Sequence, residues 1–301
     1  MAYLFSFFSS DESGDLEKIW FAVSRDGLHW QDINNKKPII ESTLGTKGIR
    51  DPFIVYDEKT KKYYMLATDL ETSEGNWGEY VKTGSRSIRI WDSEDLINWS
   101  DERLVEVAVE NAGCAWAPEA VFCKEKDSWF VFWASCVKEE DDENPKQRIY
   151  GAFTDDFITF SPTFKFIDKE VDVIDTNIVW SNGYYYRISK DETIKAIMIE
   201  RSPVLIPENI DDWEVVEAEV PNNFLGLEGP EVYYLREQKK WCLIVDQYWG
   251  NKGYLPMVTD DLGSGDFRVL NPDEYDFGEL KKRHGGVIEI PDEIYYNLLK
   301  L

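Results

Sequence analysis

The chain has 301 residues, 43% of them hydrophobic, enough for a sizeable core in one large domain or two small ones. Its 58 acidic and 33 basic side chains leave a formal charge of −25, which repels phosphate backbones and anionic lipid and argues against nucleic acid and membrane surfaces as partners. No apolar run approaches the ~20 residues of a membrane helix, and four cysteines (Cys114, Cys123, Cys136, Cys242) without a CxxC pair make no disulfide framework. The first eight residues carry no basic segment and the chain turns polar by Ser9, so no export signal is read and a cytoplasmic location is expected.

Helical periodicity is scarce along the chain. Short β-branched and aromatic runs bounded by Gly, Asp, Asn or Pro dominate and predict strands. One pattern, a strand followed by Ser or Thr, an Asp-containing turn and an aromatic, recurs. It spans Ile19 to Trp30, Ile88 to Trp99 and Ile149 to Phe160, with weaker copies ending at Trp213 and Phe267. The terminal aromatics are 69, 61, 53 and 54 residues apart, and the interval from Phe267 round through the C-terminus to Trp30 is 64. A second pattern lies between these copies and starts at Asp51-Pro, Ala117-Pro-Glu, Asp175-Thr-Asn, Glu228-Gly-Pro-Glu and Arg283-His-Gly.

Five units of about sixty residues predict an all-β chain, a single five-bladed β-propeller over residues 1–301. Its last blade would take an inner strand from 287–290 and outer strands from 3–8 and 18–23, closed by both ends of the chain. Two successive sandwiches would need a linker, for which the charged run 138–147 is the best candidate. Repeat copies continue on both sides of it, so it reads as an exposed loop inside blade two.

In a propeller the inner strands converge on the axis, and whatever begins them faces one funnel. Asp51, Asp175 and Glu228 sit at three of the five starts, with Glu119 just inside another and His284 at the fifth. Each has a plain structural reading: Asp-Pro and Glu-Gly-Pro are turn formers, and Asp175 could cap a turn. Together, converging carboxyls suit glycosidic hydrolysis, in which one acid protonates the leaving group and another activates water. Of the 44 aromatic residues, 12 Trp, 16 Tyr and 16 Phe, about four-fifths are expected in core and strands, the rest as platforms for sugar rings. No Ser-His-Asp elbow, P-loop, dinucleotide motif or zinc spacing competes.

The ordered set Arg50-Asp-Pro-Phe-Ile-Val55, Trp116-Ala-Pro-Glu-Ala120, Ile174-Asp-Thr-Asn-Ile178, Glu228-Gly-Pro-Glu231 and Arg283-His-Gly285 resembles glycoside hydrolase family 43 over nearly the whole chain. These are propellers acting on α-L-arabinofuranosides and β-D-xylosides. The resemblance implies Asp51 as general base, Asp175 as the residue that tunes the acid and orients the sugar, and Glu228 as general acid. It implies Trp116 packing on the sugar, with Arg283, Arg50 and His284 among the substrate-binding residues. No cofactor is required, although His284 would line an axial channel that could hold one calcium ion through water. A neutral imidazole without carboxylates beside it would be no cage for a hard cation.

The implied reaction is hydrolysis with inversion, releasing arabinofuranose or xylose from plant cell-wall oligosaccharides. Glu228 would have to stay protonated near neutral pH, helped by repulsion from Asp175. Three alternatives stand beside it. A retaining fructosidase would need an upstream Asp nucleophile, where the chain offers only Asp26 and Asp32. A phosphorylase would need more basic residues than Arg50 and Arg283. A non-catalytic glycan-binding propeller would lack a base.

Overall fold

A computed structural model describes residues 1–9, 17–73 and 75–301. Five four-stranded antiparallel sheets stand around a common axis as the blades of a propeller. Blade one comprises Ile49–Asp57, Lys62–Asp69, Ser87–Ser93 and Arg103–Glu106; blade two, Trp116–Cys123, Ser128–Val137, Lys146–Thr154 and Phe164–Ile167. Blade three comprises Val173–Ser181, Tyr184–Asp191, Ala196–Ser202 and Glu214–Val215; blade four, Glu228–Leu235, Lys240–Asp246, Tyr254–Thr259 and Arg268–Val269. Blade five joins the C-terminal strand Lys282–Ile290 to Ala2–Ser9, Trp20–Ser24 and Trp30–Asp32.

The predicted closure is therefore present. Ala2 pairs with Ile290 and Phe5 with Val287, so the first strand lies between the last strand and the second. A short helix, Asp292–Leu298, follows, and its Asp292 accepts from the N-terminal ammonium at 2.8 Å. The ring is shut by backbone pairing within blade five, and the inner edge strand of each sheet faces the axis.

Second strands lack the polar–apolar alternation of a half-solvated sheet, because each face meets a different neighbouring blade. Tyr63 and Met65 pack towards blade five, while Tyr64 and Leu66 pack towards blade two. Phe130 and Phe132 face blade three, whereas Val131 and Trp133 face blade one. The core is thus five separate clusters, one in each gap between blades.

The repeated Ser/Thr–Asp pattern is a turn staple. In Ser24–His29 the Ser24 hydroxyl accepts from Gly27 N–H, and Asp26 accepts from Leu28 and His29 N–H at 2.8 Å. Ser93 and Asp95 make the same bonds to Leu96, Ile97 and Asn98, and Thr154 and Asp156 to Phe157, Ile158 and Thr159. The side chains satisfy backbone donors that the tight turn into the fourth strand would otherwise leave unpaired.

Most of the charged run 138–147 is a surface loop of blade two, as expected. Its C-terminal end departs from that reading, because Lys146 and Gln147 begin the third strand and Gln147 is buried.

Candidate active site

At the axial end of every inner strand the pairing slips by one residue. Arg50 pairs with Thr68 but Phe53 with Leu66; Ile174 pairs with Lys190 but Asn177 with Ile188; Glu228 pairs with Asp246 but Glu231 with Ile244. Such bulges bend a strand and re-aim its side chains. In four blades the second residue of the bulge takes a left-handed backbone: Asp51 (φ 51°), Ala117 (47°), Asp175 (49°) and Gly229 (51°). Non-glycine residues are uncommon there, and Asp tolerates it better than most.

This geometry corrects one expectation. Glu228 is not at the position of Asp51 and Asp175; Gly229 is. Glu228 occupies the position of Arg50, Trp116 and Ile174, one residue earlier. It nevertheless reaches the same space.

A cavity of about 660 Å³ opens at this end of the axis, and Arg50, Asp51, Trp116, Asp175, Glu228, Arg283 and His284 all line it. Every residue singled out from the resemblance is thereby brought together. Asp51 receives the Thr68 hydroxyl at 2.7 Å, and that hydroxyl in turn accepts from Ala117 N–H at 2.7 Å. With its oxygen occupied by the Ala117 donor, Thr68 turns its proton to Asp51, so the carboxyl is held as an acceptor. The Asp51 carboxylate also lies 3.3 Å from His284 Nδ1, and Asp175 lies 3.8 Å from the same nitrogen. Asp175 further accepts from Gly229 N–H at 3.0 Å. Glu228 is held by Arg283 at 2.6 Å and Lys190 at 3.2 Å. Arg283 is steadied from behind by the fully buried Asp246 at 2.5 Å. Arg50 pairs with Glu17 at 3.0 Å, and its guanidinium lies 4.2 Å from the Phe8 ring centre and 5.3 Å from that of Trp77.

The charges follow from these contacts. Burial would raise the Asp51 carboxyl, but the hydrogen bond and charge of His284, together with Arg50 and Thr68, hold it below the usual range. Asp175 is raised by burial, against the attraction of His284 and Lys190 and with the repulsion of Glu228 and Asp51. Burial would lower His284, but Asp175 and Asp51 push it up to about 9, so the ring is an imidazolium at neutral pH.

Glu228 differs from expectation. Burial raises it, yet the cationic Lys190 and Arg283 outweigh burial and hold it below its ordinary value. The cause is the pair of cations in direct contact, one of which, Lys190, was not foreseen.

His284 also departs from its predicted state. It is neither neutral nor remote from carboxylates. A protonated imidazole has no lone pair for a metal and repels a cation. Among the described residues no group of three His, Cys, Asp or Glu side chains is arranged to hold a metal ion. A calcium ion held through water beside His284 would lie against this positive charge.

Glu119 turns away from the cavity. It accepts from Asn177 Nδ2 at 2.9 Å, and the same amide donates to Glu231 at 2.8 Å. Upstream, Asp32 is buried against Lys282 and Asp26 serves a surface turn, so neither lines the cavity.

Sequence reasoning missed Lys190, Asp246 and Thr68, and the rim aromatics Trp77, Tyr248 and Trp249. A signal existed for the first three. Each lies at the end of a second strand or one residue before it, directly opposite the first residue of a bulge, so aligning the last two residues of the second strands would have marked them. The rim aromatics lie on connecting segments that carry no repeat.

Over residues 1–295 the chain matches the family Glyco_hydro_43_rel, described as "Probable glycosyl hydrolase domain". It is 29% identical to an alpha-L-arabinofuranosidase of Bifidobacterium longum subsp. longum, in a match taking in 76% of this chain and 25% of that protein. The chain thus spans about a quarter of that relative's length. Among solved structures it is similar to an exo-beta-1,3-galactanase of Phanerochaete chrysosporium (TM-score 0.59, 10% identity, 89% of this chain and 64% of that one). It is also similar to the catalytic domain of a GH62 alpha-L-arabinofuranosidase of Coprinopsis cinerea (TM-score 0.55, 12% identity, 79% and 74%). At these identities the structural likenesses show the fold.

Proposed function

This chain belongs to the family 43-related glycoside hydrolases, and on that premise we propose that it releases terminal α-L-arabinofuranose, or xylose, from plant cell-wall oligosaccharides by a single displacement with inversion. One observation carries the reading: Asp51, Asp175 and Glu228 line one cavity, and Asp51 is fixed as a proton acceptor by Thr68 and His284. The arabinofuranosidase relative supports the choice of sugar.

In this scheme the Asp51 carboxylate takes a proton from a water molecule, whose oxygen attacks the anomeric carbon. The bond to the leaving oxygen breaks as Glu228 delivers its proton there. Glu228 must first be protonated, and in the free site Lys190 and Arg283 oppose that. Sugar hydroxyls that engage Arg283 weaken its hold on Glu228, and the acid takes up its proton as substrate seats. The alkaline limb of the kcat profile, set by loss of the Glu228 proton, therefore lies at higher pH than that of kcat/KM, since the two report the complex and the free enzyme. A second reading makes Asp175 the proton donor, favoured by its raised carboxyl. Under it, Asp175→Asn rather than Glu228→Gln would be the variant whose loss depends on the leaving group.

Nitrophenyl glycosides test the reading directly. The α-L-arabinofuranoside or β-D-xyloside should be cleaved in preference to the galactoside and glucoside. Proton NMR in the first minutes should show the product anomer opposite to the substrate's. A retained anomer would remove Asp51 as base, and exclusive cleavage of the galactoside would replace the sugar.

A further inference from the structure

Glu228 and Asp246 stand opposite each other on the first two strands of blade four, and one guanidinium from blade five joins them. Arg283 donates from Nη2 to Glu228 Oε1 at 2.6 Å and from Nε to Asp246 Oδ2 at 2.5 Å. These two nitrogens share one edge of the guanidinium, the edge that can grip a single carboxylate with two parallel bonds. Here the edge is divided between two carboxylates. Asp246 Oδ1 is left over: it is fully buried and meets no donor among the described residues. An unpaired buried carboxylate oxygen is costly and calls for an explanation.

Glu228 sits among charged and titratable groups from four blades. Asp175, Lys190 and Glu192 come from blade three, Asp246 and Tyr248 from blade four, Arg283 and His284 from blade five, and Arg50 from blade one. When Glu228 binds a proton, the two cations in contact with it each lose a counter-charge. Lys190 keeps Glu192 at 2.6 Å. Arg283 keeps Asp246, through one bond where two are possible. Burial raises the Asp246 carboxyl to about 6, against the attraction of Arg283, so it is ionised at neutral pH. A buried cation is stable only with its counter-charge at hand.

We propose that Asp246 is a positioning residue for the acid: as Glu228 takes a proton from solvent, Arg283 moves Nη2 from Glu228 Oε1 to Asp246 Oδ1 and closes a two-bond pair. The proposal rests on the reading of Glu228 as proton donor and deepens it, because it names where the displaced cation goes. One hydrogen bond breaks and one forms, and the guanidinium is never without a carboxylate. Asp246 does not line the cavity, whereas Glu228 and Arg283 do, so it acts through Arg283.

The first test needs no turnover. Glu228→Gln stands in for the protonated acid in shape and charge. Its crystal structure should show Arg283 Nη2 within about 3 Å of Asp246 Oδ1, with Nε kept on Oδ2. Nη2 remaining on residue 228 overturns the proposal, whatever the protein hydrolyses. The second test reads the pH profiles of kcat and kcat/KM on an oligosaccharide. In the wild type the alkaline limb of kcat should lie about one unit above that of kcat/KM. Asp246→Asn offers Arg283 one neutral acceptor and removes a negative charge beside Glu228. Both limbs should move to lower pH, the kcat limb further, until they coincide. Above the limbs kcat then falls about tenfold more than kcat/KM does. A variant that was merely less stable would lose rate equally at every pH and keep the separation, and a separation kept in Asp246→Asn overturns the proposal. If Asp246→Asn does not fold, or if no glycoside is cleaved and the glycosidase reading falls, the Glu228→Gln structure decides alone.

Discussion

Glu228 and Glu231 lie three residues apart on one inner strand, and their surroundings drive them in opposite directions. Glu228 opens onto the cavity between Lys190 and Arg283 and is held below its ordinary value despite burial. Glu231 points to the axis, where its partners are the Asn177 amide and the Val287 backbone N–H; burial pushes it up to about 8. Glu119, reached by the other hydrogen of the Asn177 amide, is raised as well, by burial and by Glu231. Depth inside the propeller therefore does not set the charge. A desolvated carboxyl stays ionised only where cations are supplied, and elsewhere it keeps its proton. The cavity set is charged and adjustable by whatever displaces its cations, whereas the axial set is neutral and closed.

The largest expected effects break the cavity set. Asp51→Asn should lower hydrolysis by about 10²–10⁴-fold on oligosaccharides and activated aryl glycosides alike, because water needs a base whatever leaves. Glu228→Gln should cost a similar factor on oligosaccharides but much less on aryl glycosides, whose phenolate departs without a proton. Steady-state rates on both substrate classes check this. Equal leaving-group sensitivity in the two variants would erase the proposed division of labour.

How far the sequence revealed these two sets follows from what a repeat encodes. The blades, the closure by residues 3–8 and 287–290, and Asp51, Asp175, Glu228 and His284 were legible because each recurs at a fixed place in a unit of known period. The registration of Glu228 was not, because a bulge shifts a position by one residue without altering the motif around it. Nor was its charge. That depends on Lys190, which belongs to the next strand of another blade and reaches Glu228 only through the fold. Glu119 looked like a cavity residue for the same reason: its motif is right, but it lies beyond the bulge on the axial side.

A smaller effect sharpens the axial set. Glu231 binds a proton in the native state between its unfolded value of about 4.5 and about 8. Where the native state holds the extra proton, stability falls as pH rises, by at most about 1.4 kcal/mol per pH unit for one group. Melting temperature should therefore decline from pH 5 towards pH 8. Glu231→Gln cannot titrate and should reduce that slope to the part that Glu119 carries, whatever its absolute stability. An unchanged slope would mean that Glu231 is ionised on the axis and that a cation near it has been overlooked.

The smallest effect is a titration at the boundary between the two sets. The chain has two histidines, His29 on a surface turn and His284 in the cavity, so imidazole NMR signals separate easily. His284 should titrate near pH 9, because Asp175 and Asp51 stabilise its charged form more than burial penalises it. Its folded value lies above the unfolded 6.5, so the stability it contributes is complete below pH 6.5 and is lost as pH rises through 9. Asp175→Asn or Asp51→Asn removes one partner, and each should lower the midpoint by about one unit or more, as loss of an opposite charge within a few ångströms does. The same imidazolium lowers Asp51, so the coupling must appear from both sides. His284→Gln should raise the Asp51 carboxyl and move the acidic limb of kcat/KM towards neutral pH, while the alkaline limb stays in place. A His284 midpoint near 6.5 in the wild type would instead leave a neutral ring at physiological pH. Asp51 would then lack the counter-charge that keeps it a base, and His284 would regain a lone pair able to face a cation.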